Sequence, residues 1–382
     1  MGVSGLRIAH LIESDGPGGA ERVVAQLAAG LQSAGVETVV FLPAHGEGWL
    51  AEQLRGSGVA IEHFHVDRPV SPACGRSLTD AFRRRGITVA HSHEFSMAVY
   101  GAWAAWRARI PHVITMHGGR YYAGRLRRRL AMRAAIAASA RTVAVSAALA
   151  RALSDDLGVQ PSRIDMIPNG VAYEPPQRVT LRAELRLQPD DRLIVCVGNL
   201  YAVKGHQHLI DAVAQLAQRH PSLHLAIAGR GELEDELAAQ AQSRGIAGRV
   251  HLLGLRSDVS AILAAADIFA MPSLSEGLPM ALLEAMFAAR PIVATDVGEV
   301  AVALAHGDAG VLVEPGNAGA LAGAIEGLLI DPRRSRELGD RARRRAVAEY
   351  DVSRMVRRYH ATYDELVTRR FSAAVEKREV AI

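Results

Sequence analysis

The residues best equipped for chemistry lie in one stretch, Pro272-Ser273-Leu274-Ser275-Glu276-Gly277-Leu278-Pro279-Met280-Ala281-Leu282-Leu283-Glu284. Two carboxylates, Glu276 and Glu284, frame a Gly-Leu-Pro turn. Unpaired N–H groups at the start of a helix attract an anion such as phosphate. A carboxylate beside a phosphate would repel it, so both glutamates suit hydroxyl partners, from which they accept hydrogen bonds. Hydroxyl, phosphate, hydroxyl is the order of groups in a nucleotide-sugar: donor sugar, diphosphate, ribose. Two glutamates at this spacing alone fit an ordinary turn with solvated acids. The full Ser-Glu-Gly-Leu-Pro…Glu string is far more restrictive and favours the ligand reading.

Other residue types add to this chemistry. Lys204, followed by Gly205, is a flexible ammonium suited to neutralising phosphate. Asn199, just upstream, can donate a hydrogen bond but carries no charge. His117, followed by Gly118, titrates near neutrality, so acid–base work is open to it, and positioning by hydrogen bonding is the simpler role. His91 reads as a satisfied loop histidine. A zinc site from His91, His93 and His117 lacks the cysteine or carboxylate spacing such sites use.

Those residues need elements to hold them. Asp267–Met271 is short, apolar and β-prone, and ends at Pro272. Pro279 suits the first position of a helix. Met280–Ala289 is rich in strong helix formers, which puts Glu284 about a turn and a half into a helix starting at Pro279. Leu193–Gly198 reads as a buried strand, with a helix from about His206. Leu223–Ala228 reads as another strand, Val250–Arg256 as a short strand and loop, and Gly310–Gly316 as the last strand and turn. The first half repeats the pattern, with strands at Leu6–Ile12, Thr38–Leu42, Ala60–Val66, Thr88–Ser92, His112–Thr115 and Thr142–Val145. A glycine loop after the first strand leads to a helix from Ala20 with Val23, Leu27 and Leu31 on one face. Such alternation predicts an α/β fold of doubly wound parallel sheets, which bind ligands at the carboxyl ends of their strands. From Gly16 the dinucleotide fingerprint G-x-G-x-x-G meets Glu21 at its third glycine, and no acid ends the second strand, so a dehydrogenase is disfavoured.

At 382 residues the chain should form two domains of similar size. Tyr173-Glu174-Pro175-Pro176 reads as an extended linker. The expected domains are 1–172 and 173–350, then a helix over 351–370 and a loose tail over 371–382. A net charge of +4 fits anionic partners: phosphates, acidic lipid or nucleic acid. Nucleic acid is discounted because no recognition motif accompanies the charge. Cys74 and Cys196 form no disulfide or metal pattern, so a reducing cytosol is the default. No apolar run has the length of a membrane span.

The Glu276–Glu284 string resembles the E-x7-E signature of the retaining glycosyltransferases of the family 4 type. Lys204-Gly205, His117-Gly118, Gly18-Gly19-Ala20-Glu21 and Pro168-Asn169-Gly170-Val171 resemble further motifs of that family in the same order. The resemblance implies the GT-B fold, two Rossmann-like domains facing a central cleft. In that fold the last helix crosses back onto the N-terminal domain, here through Val352, Val356, Tyr359, Tyr363 and Leu366. It implies His117 and Glu276 as catalytic residues. It implies Asn199, Lys204, Gly277, Leu278, Pro279, Met280 and Gly19 at the diphosphate, Glu284 at the ribose, and Leu255 and Arg256 at the base. His93, Glu94 and Tyr121 fall on the acceptor side. It further implies a UDP- or GDP-linked donor, no cofactor and no metal, and a glycan or lipid-linked acceptor of cell-surface polysaccharide or glycolipid synthesis. The arginine-rich Arg120–Arg133 is as readily a solvated face as an amphipathic helix on an anionic membrane. The expected location is cytoplasmic, with peripheral association at the inner face of the plasma membrane as the variant that an amphipathic helix would bring. Asn199 stands where many relatives have arginine, and Glu299 and Val302 depart from a Gly-Gly…Glu pattern. An epimerase on the same fold and a non-catalytic nucleotide-sugar-binding protein are the alternatives.

Overall fold

The computed structural model describes residues 5–44, 46–66, 71–118 and 121–379, with side chains as far as Arg370. Arg120, the first residue of the arginine-rich segment, and the last three residues of the expected tail lie outside the described residues. The chain divides into two compact units, Met1–Ala172 with Val352–Ile382, and Tyr173–Asp351.

The first unit is built on seven strands: β1 (Arg7–Leu11), β2 (Glu37–Pro43), β3 (Ala60–Phe64), β4 (Val89–His93), β5 (His112–Met116), β6 (Arg141–Ala144) and β7 (Ile164–Met166). Their order is β3-β2-β1-β4-β5-β6-β7, and the pairing is parallel throughout. The direction of winding reverses between β1 and β4, where such sheets leave a crevice at the strands' carboxyl ends. Helices cover both faces, so the central strands β4 and β5 are buried along their whole length.

The C-terminal helix Val352–Glu379 belongs to this unit. It buries Met355, Val356, Tyr359, Tyr363 and Leu366. Val356 meets the helix Gly19–Ser33 at Gly30, where a Cβ would come within 2.5 Å of the valine. The helix does not stop at Arg370, as the loose-tail expectation has it, but continues to Glu379. Phe371–Glu379 contains no Gly or Pro and has several strong helix formers, so nothing local ends it.

The second unit carries β8 (Arg192–Val197), β9 (Leu223–Ala228), β10 (Val250–Leu252), β11 (Ile268–Met271), β12 (Ile292–Thr295) and β13 (Val311–Val313). These form a parallel sheet of order β10-β9-β8-β11-β12-β13. Its core packs Ile194, Leu209, Ile210, Leu225, Ile227 and Ile325 out of water. Each such side chain contributes roughly 1.5–3 kcal/mol of burial energy.

Three further boundaries that bear on the site differ from the sequence reading. The first glycine loop ends one residue early, because Gly19 is already helical. The arginine-rich helix runs over Leu126–Ala138 instead of starting near Arg120. Pro279 has extended backbone (φ −73°, ψ 129°) and is the N-cap of the helix Met280–Phe287, not its first residue. Ending a loop costs a proline as little as starting a helix, since neither place needs its N–H.

Candidate active site

In the second unit the loops after β8, β11 and β12 hold one another. A short 3-10 turn, Ala202–Lys204, follows β8 and ends at Gly205 with φ +64°. A Cβ on Gly205 would lie 2.2 Å from the Pro272 carbonyl oxygen. Only glycine allows both that conformation and that approach. Leu274 N donates to Val203 O at 2.8 Å, joining this turn to the loop after β11. From the other side, Gly298 (φ +58°) leaves no room for a Cβ, which would lie 2.0 Å from Glu276 O. Glu299 N donates to Gly277 O at 3.0 Å, and the buried Thr295 hydroxyl donates to Ser273 O at 2.6 Å.

Clamped in this way, Lys204 and Glu276 meet. Lys204 Nζ lies 2.6 Å from Glu276 Oε1, which also accepts a 2.7 Å hydrogen bond from Ser273 Oγ. The Glu276 side chain is 10% exposed and the Lys204 side chain 27%, so the pair is shielded but reachable. Behind it, His206 Nε2 lies 3.1 Å from Asn199 O and its Nδ1 3.5 Å from Cys196 Sγ. Burial pushes the Cys196 thiol up to about 12 and the His206 imidazole down, so this backing carries no charge.

Leu283 N donates to Pro279 O at 3.3 Å, the first bond of the helix, so Met280, Ala281 and Leu282 are its N–H groups without an intrahelical acceptor. Pro279 has no N–H and can only shape a diphosphate site. Glu284 follows just over one turn in and is partly buried. Arg256 is tied to Asp258 through two 2.7 Å bonds and to Glu184 at 3.0 Å. Its guanidinium therefore anchors this loop, and Leu255, 51% exposed, is the open side chain of the pair. Glu299 is buried and Val302 exposed, and Val302 O accepts from Arg345 at 2.9 Å.

In the first unit the strand register assembles histidines. His10 of β1 pairs with His91 of β4, and His93 lies two residues on, so all three share one face of the sheet. His91 bonds Tyr363 OH at 2.6 Å and Thr115 Oγ1 at 2.7 Å. His93 lies 3.1 Å from His10 and 2.9 Å from His117. Ring nitrogens of His10, His91 and His93 come within 4.8 Å of one another. Both nitrogens of His91 are spent on hydroxyls and both of His93 on imidazoles, so the cluster is a hydrogen-bond network in composition. Burial drives these imidazoles toward neutrality: His10 falls to about 3 and His117 to about 4, and His91 and His93 are also held well below the ordinary value, by burial first and by neighbouring rings second.

Glu94 has φ +65°, rare for a non-glycine residue, and its Oε1 accepts from His117 N at 2.9 Å. The strained junction thus places the His117 backbone. Tyr121 is 59% exposed, and the Arg128 guanidinium lies 3.8 Å from its ring centre. Gly19 lies at the start of the first helix; beside it, a Cβ on Gly18 would lie 2.3 Å from Glu21 Oε2.

Residues 17–174 match Glycosyltransferase Family 4, and residues 177–345 match Glycosyl transferases group 1. The chain belongs to the family 4 type glycosyltransferases. A D-inositol 3-phosphate glycosyltransferase of Rhodococcus erythropolis is 34% identical over 223 residues, 55% of this chain and 50% of that one, so the match spans half of that relative's length. A protein of the same name from Pseudarthrobacter chlorophenolicus is 28% identical over 362 residues, 86% of each chain. The fold is that of Anabaena HepE, solved in complex with UDP, at TM-score 0.83 and 24% identity over 94% of this chain and 100% of that one. This is the GT-B fold.

Several residues of this candidate site carry no motif. His10 sits in the first predicted strand, where a single histidine among apolar residues was the available signal. Ser273 lies inside the signature string, yet only its 2.7 Å bond to Glu276 distinguishes it. Thr295 and Gly298 hold the loop from another strand, and sequence offers no sign of that.

Proposed function

We propose that this glycosyltransferase moves a sugar from a UDP- or GDP-linked donor to a glycan or lipid-linked acceptor, with retention at the anomeric carbon and without a metal. The observation that carries the reading is Lys204 seated against Glu276 at the head of a helix that bears Glu284. Lys204 and the N–H groups of Met280, Ala281 and Leu282 are the cations and dipoles for a departing diphosphate. Asn199 adds a neutral donor, which leaves Lys204 most of the charge to neutralise. Glu276 orients donor-sugar hydroxyls, Glu284 the ribose, and His117 the sugar or the acceptor. The acceptor attacks from the face that the nucleotide leaves, so no carboxylate is assigned as nucleophile.

An acceptor of mixed character fits a cavity of about 780 Å³ in the N-terminal unit, lined by Phe64, Phe95, Tyr100, Tyr121, Arg125 and Arg128 among others. Aromatic rings suit an apolar part, and arginines an anionic one. The inositol 3-phosphate in the names of two relatives bears such an anion. Leu126 and Leu130, 72% and 56% exposed, stand among Arg127, Arg128, Arg129 and Arg133, which supports a peripheral contact with acidic lipid at the cytoplasmic face. A place in cell-surface polysaccharide or glycolipid synthesis follows from such an acceptor. Among the described residues no helix is long and apolar enough to cross a membrane.

The test mixes the protein with UDP- and GDP-sugars and acceptors and follows the anomeric configuration by NMR. A product with the donor's configuration and undiminished rates in EDTA are expected. An inverted product overturns the mechanism, and hydrolysis or epimerisation without transfer overturns the function.

A further inference from the structure

His10, His93 and His117 form a hydrogen-bonded chain with two ends. His10 Nδ1 lies 3.1 Å from His93 Nε2, and His93 Nδ1 lies 2.9 Å from His117 Nε2. The rings are stacked, with centres 5.4 and 5.2 Å apart. The ends, His10 Nε2 and His117 Nδ1, are buried atoms with no hydrogen-bond partner among the described residues. His91 stands outside the chain, its nitrogens held by Tyr363 and Thr115.

A neutral imidazole has one N–H and one lone pair. Two neutral rings bond only when one gives and the other accepts, so the proton position on one ring dictates the next. The chain has just two arrangements: every proton on Nδ1, or every proton on Nε2. A cationic ring would relax this rule, but burial holds all three imidazoles well below their ordinary range, so they are neutral at pH 7.

The arrangements differ at the ends. With all protons on Nε2, the orphan N–H sits on His10, which is 0% exposed. With all protons on Nδ1, it sits on His117, whose Nδ1 is also a buried atom. But His117 is a partly exposed residue at the end of β5, where a small ring movement brings that N–H to water or a ligand, an outlet the fully buried His10 lacks. His10 then keeps only a bare lone pair. A buried N–H without an acceptor is the rarer and costlier defect, and an under-satisfied acceptor is better tolerated. We propose that His10 and His93 are positioning residues that fix His117 as its Nδ1–H tautomer, so that His117 meets its ligand as a hydrogen-bond donor to an oxygen lone pair. Its neutral Nδ1 then has no lone pair with which to take a proton from a hydroxyl. The use of this N–H on a nucleotide-sugar rests on the function proposed above; the tautomer does not.

Long-range ¹H–¹⁵N NMR of the ligand-free, ¹⁵N-histidine-labelled protein at pH 7 reads the tautomers directly. All three rings are expected protonated at Nδ1. Protonation at Nε2, or a mixture among the three, overturns the proposal. His93→Phe keeps a ring in place but removes the partner of His117 Nε2; the His117 Nδ1–H population should fall from nearly all to about half, and an unchanged population overturns the relay. If that variant fails to fold, the measurement on the native protein decides. Adding UDP, then UDP-glucose, locates the acceptor oxygen. A downfield shift of the His117 proton with UDP marks a phosphate oxygen, and one only with UDP-glucose a sugar oxygen. Silence with both in a protein that binds them overturns the donor role. Absence of binding counts against the nucleotide-sugar reading and leaves the tautomer result standing.

Discussion

Lys204→Met tests the arrangement at its centre. In the free protein the ammonium lies 2.6 Å from Glu276 Oε1, and the carboxylate is 10% exposed. Removing the cation leaves the Glu276 carboxylate held by the Ser273 hydroxyl. Breaking a fully buried pair costs about 3–5 kcal/mol, and the exposure of Lys204 reduces this to about 1–3 kcal/mol. A unit of this size loses about 2–4 °C per kcal/mol, so the Tyr173–Asp351 unit should melt several degrees lower. Binding changes separately. A hydrogen bond between charged groups contributes about 1.5–3 kcal/mol, so a nucleoside diphosphate should bind about 10- to 150-fold more weakly. The control is Glu276→Gln, which releases Lys204 from its carboxylate. Diphosphate affinity should then hold or rise, while transfer falls because the sugar's partner is gone. Calorimetric titration with UDP and GDP reads both variants. If Lys204→Met leaves affinity within twofold, or both variants weaken binding equally, the lysine is a structural ion pair and the site reading fails.

Further outcomes follow from the same geometry. Gly205→Ala forces a Cβ into the Pro272 carbonyl at a positive φ; a loss of more than about 1–3 kcal/mol by denaturant unfolding is expected, with weakened UDP binding, and a neutral result would remove the clamp argument. Glu284→Ala should weaken binding of nucleotide more than of sugar phosphate, by about tenfold, consistent with a lost hydrogen bond from a hydroxyl to a charged acceptor; equal affinities count against the ribose role. Acid should unfold the N-terminal unit early. His10 and His117 are held at about 3 and about 4, below the ordinary 6.5, so the unfolded chain binds more protons. Their contribution is therefore fully present above pH 6.5 and is lost as pH falls from there toward 4, at about 1.4 kcal/mol per pH unit for each. A melting temperature flat between pH 7 and pH 5 would contradict their burial as neutral rings.

The α/β class and the parallel sheets were legible in the chain because alternating apolar strands and helices of 3.6 periodicity leave few other architectures. The signature string also marked where a phosphate could sit, since turn chemistry and helix starts are written locally in Gly277, Pro279 and the run from Met280. Element ends were less legible: Pro279 caps its helix from outside, and the last helix runs past Arg370, because end positions depend on small local differences. Tertiary structure alone decided who meets whom. The contact of Lys204 with Glu276 depends on Gly205 and Gly298 admitting two carbonyls, which lie far away in sequence. The pairing of His10 with His91 depends on β1 and β4 being neighbours in a particular register. Burial then set the charge of those histidines, and burial is a property of the packed sheet that residue type by itself does not carry.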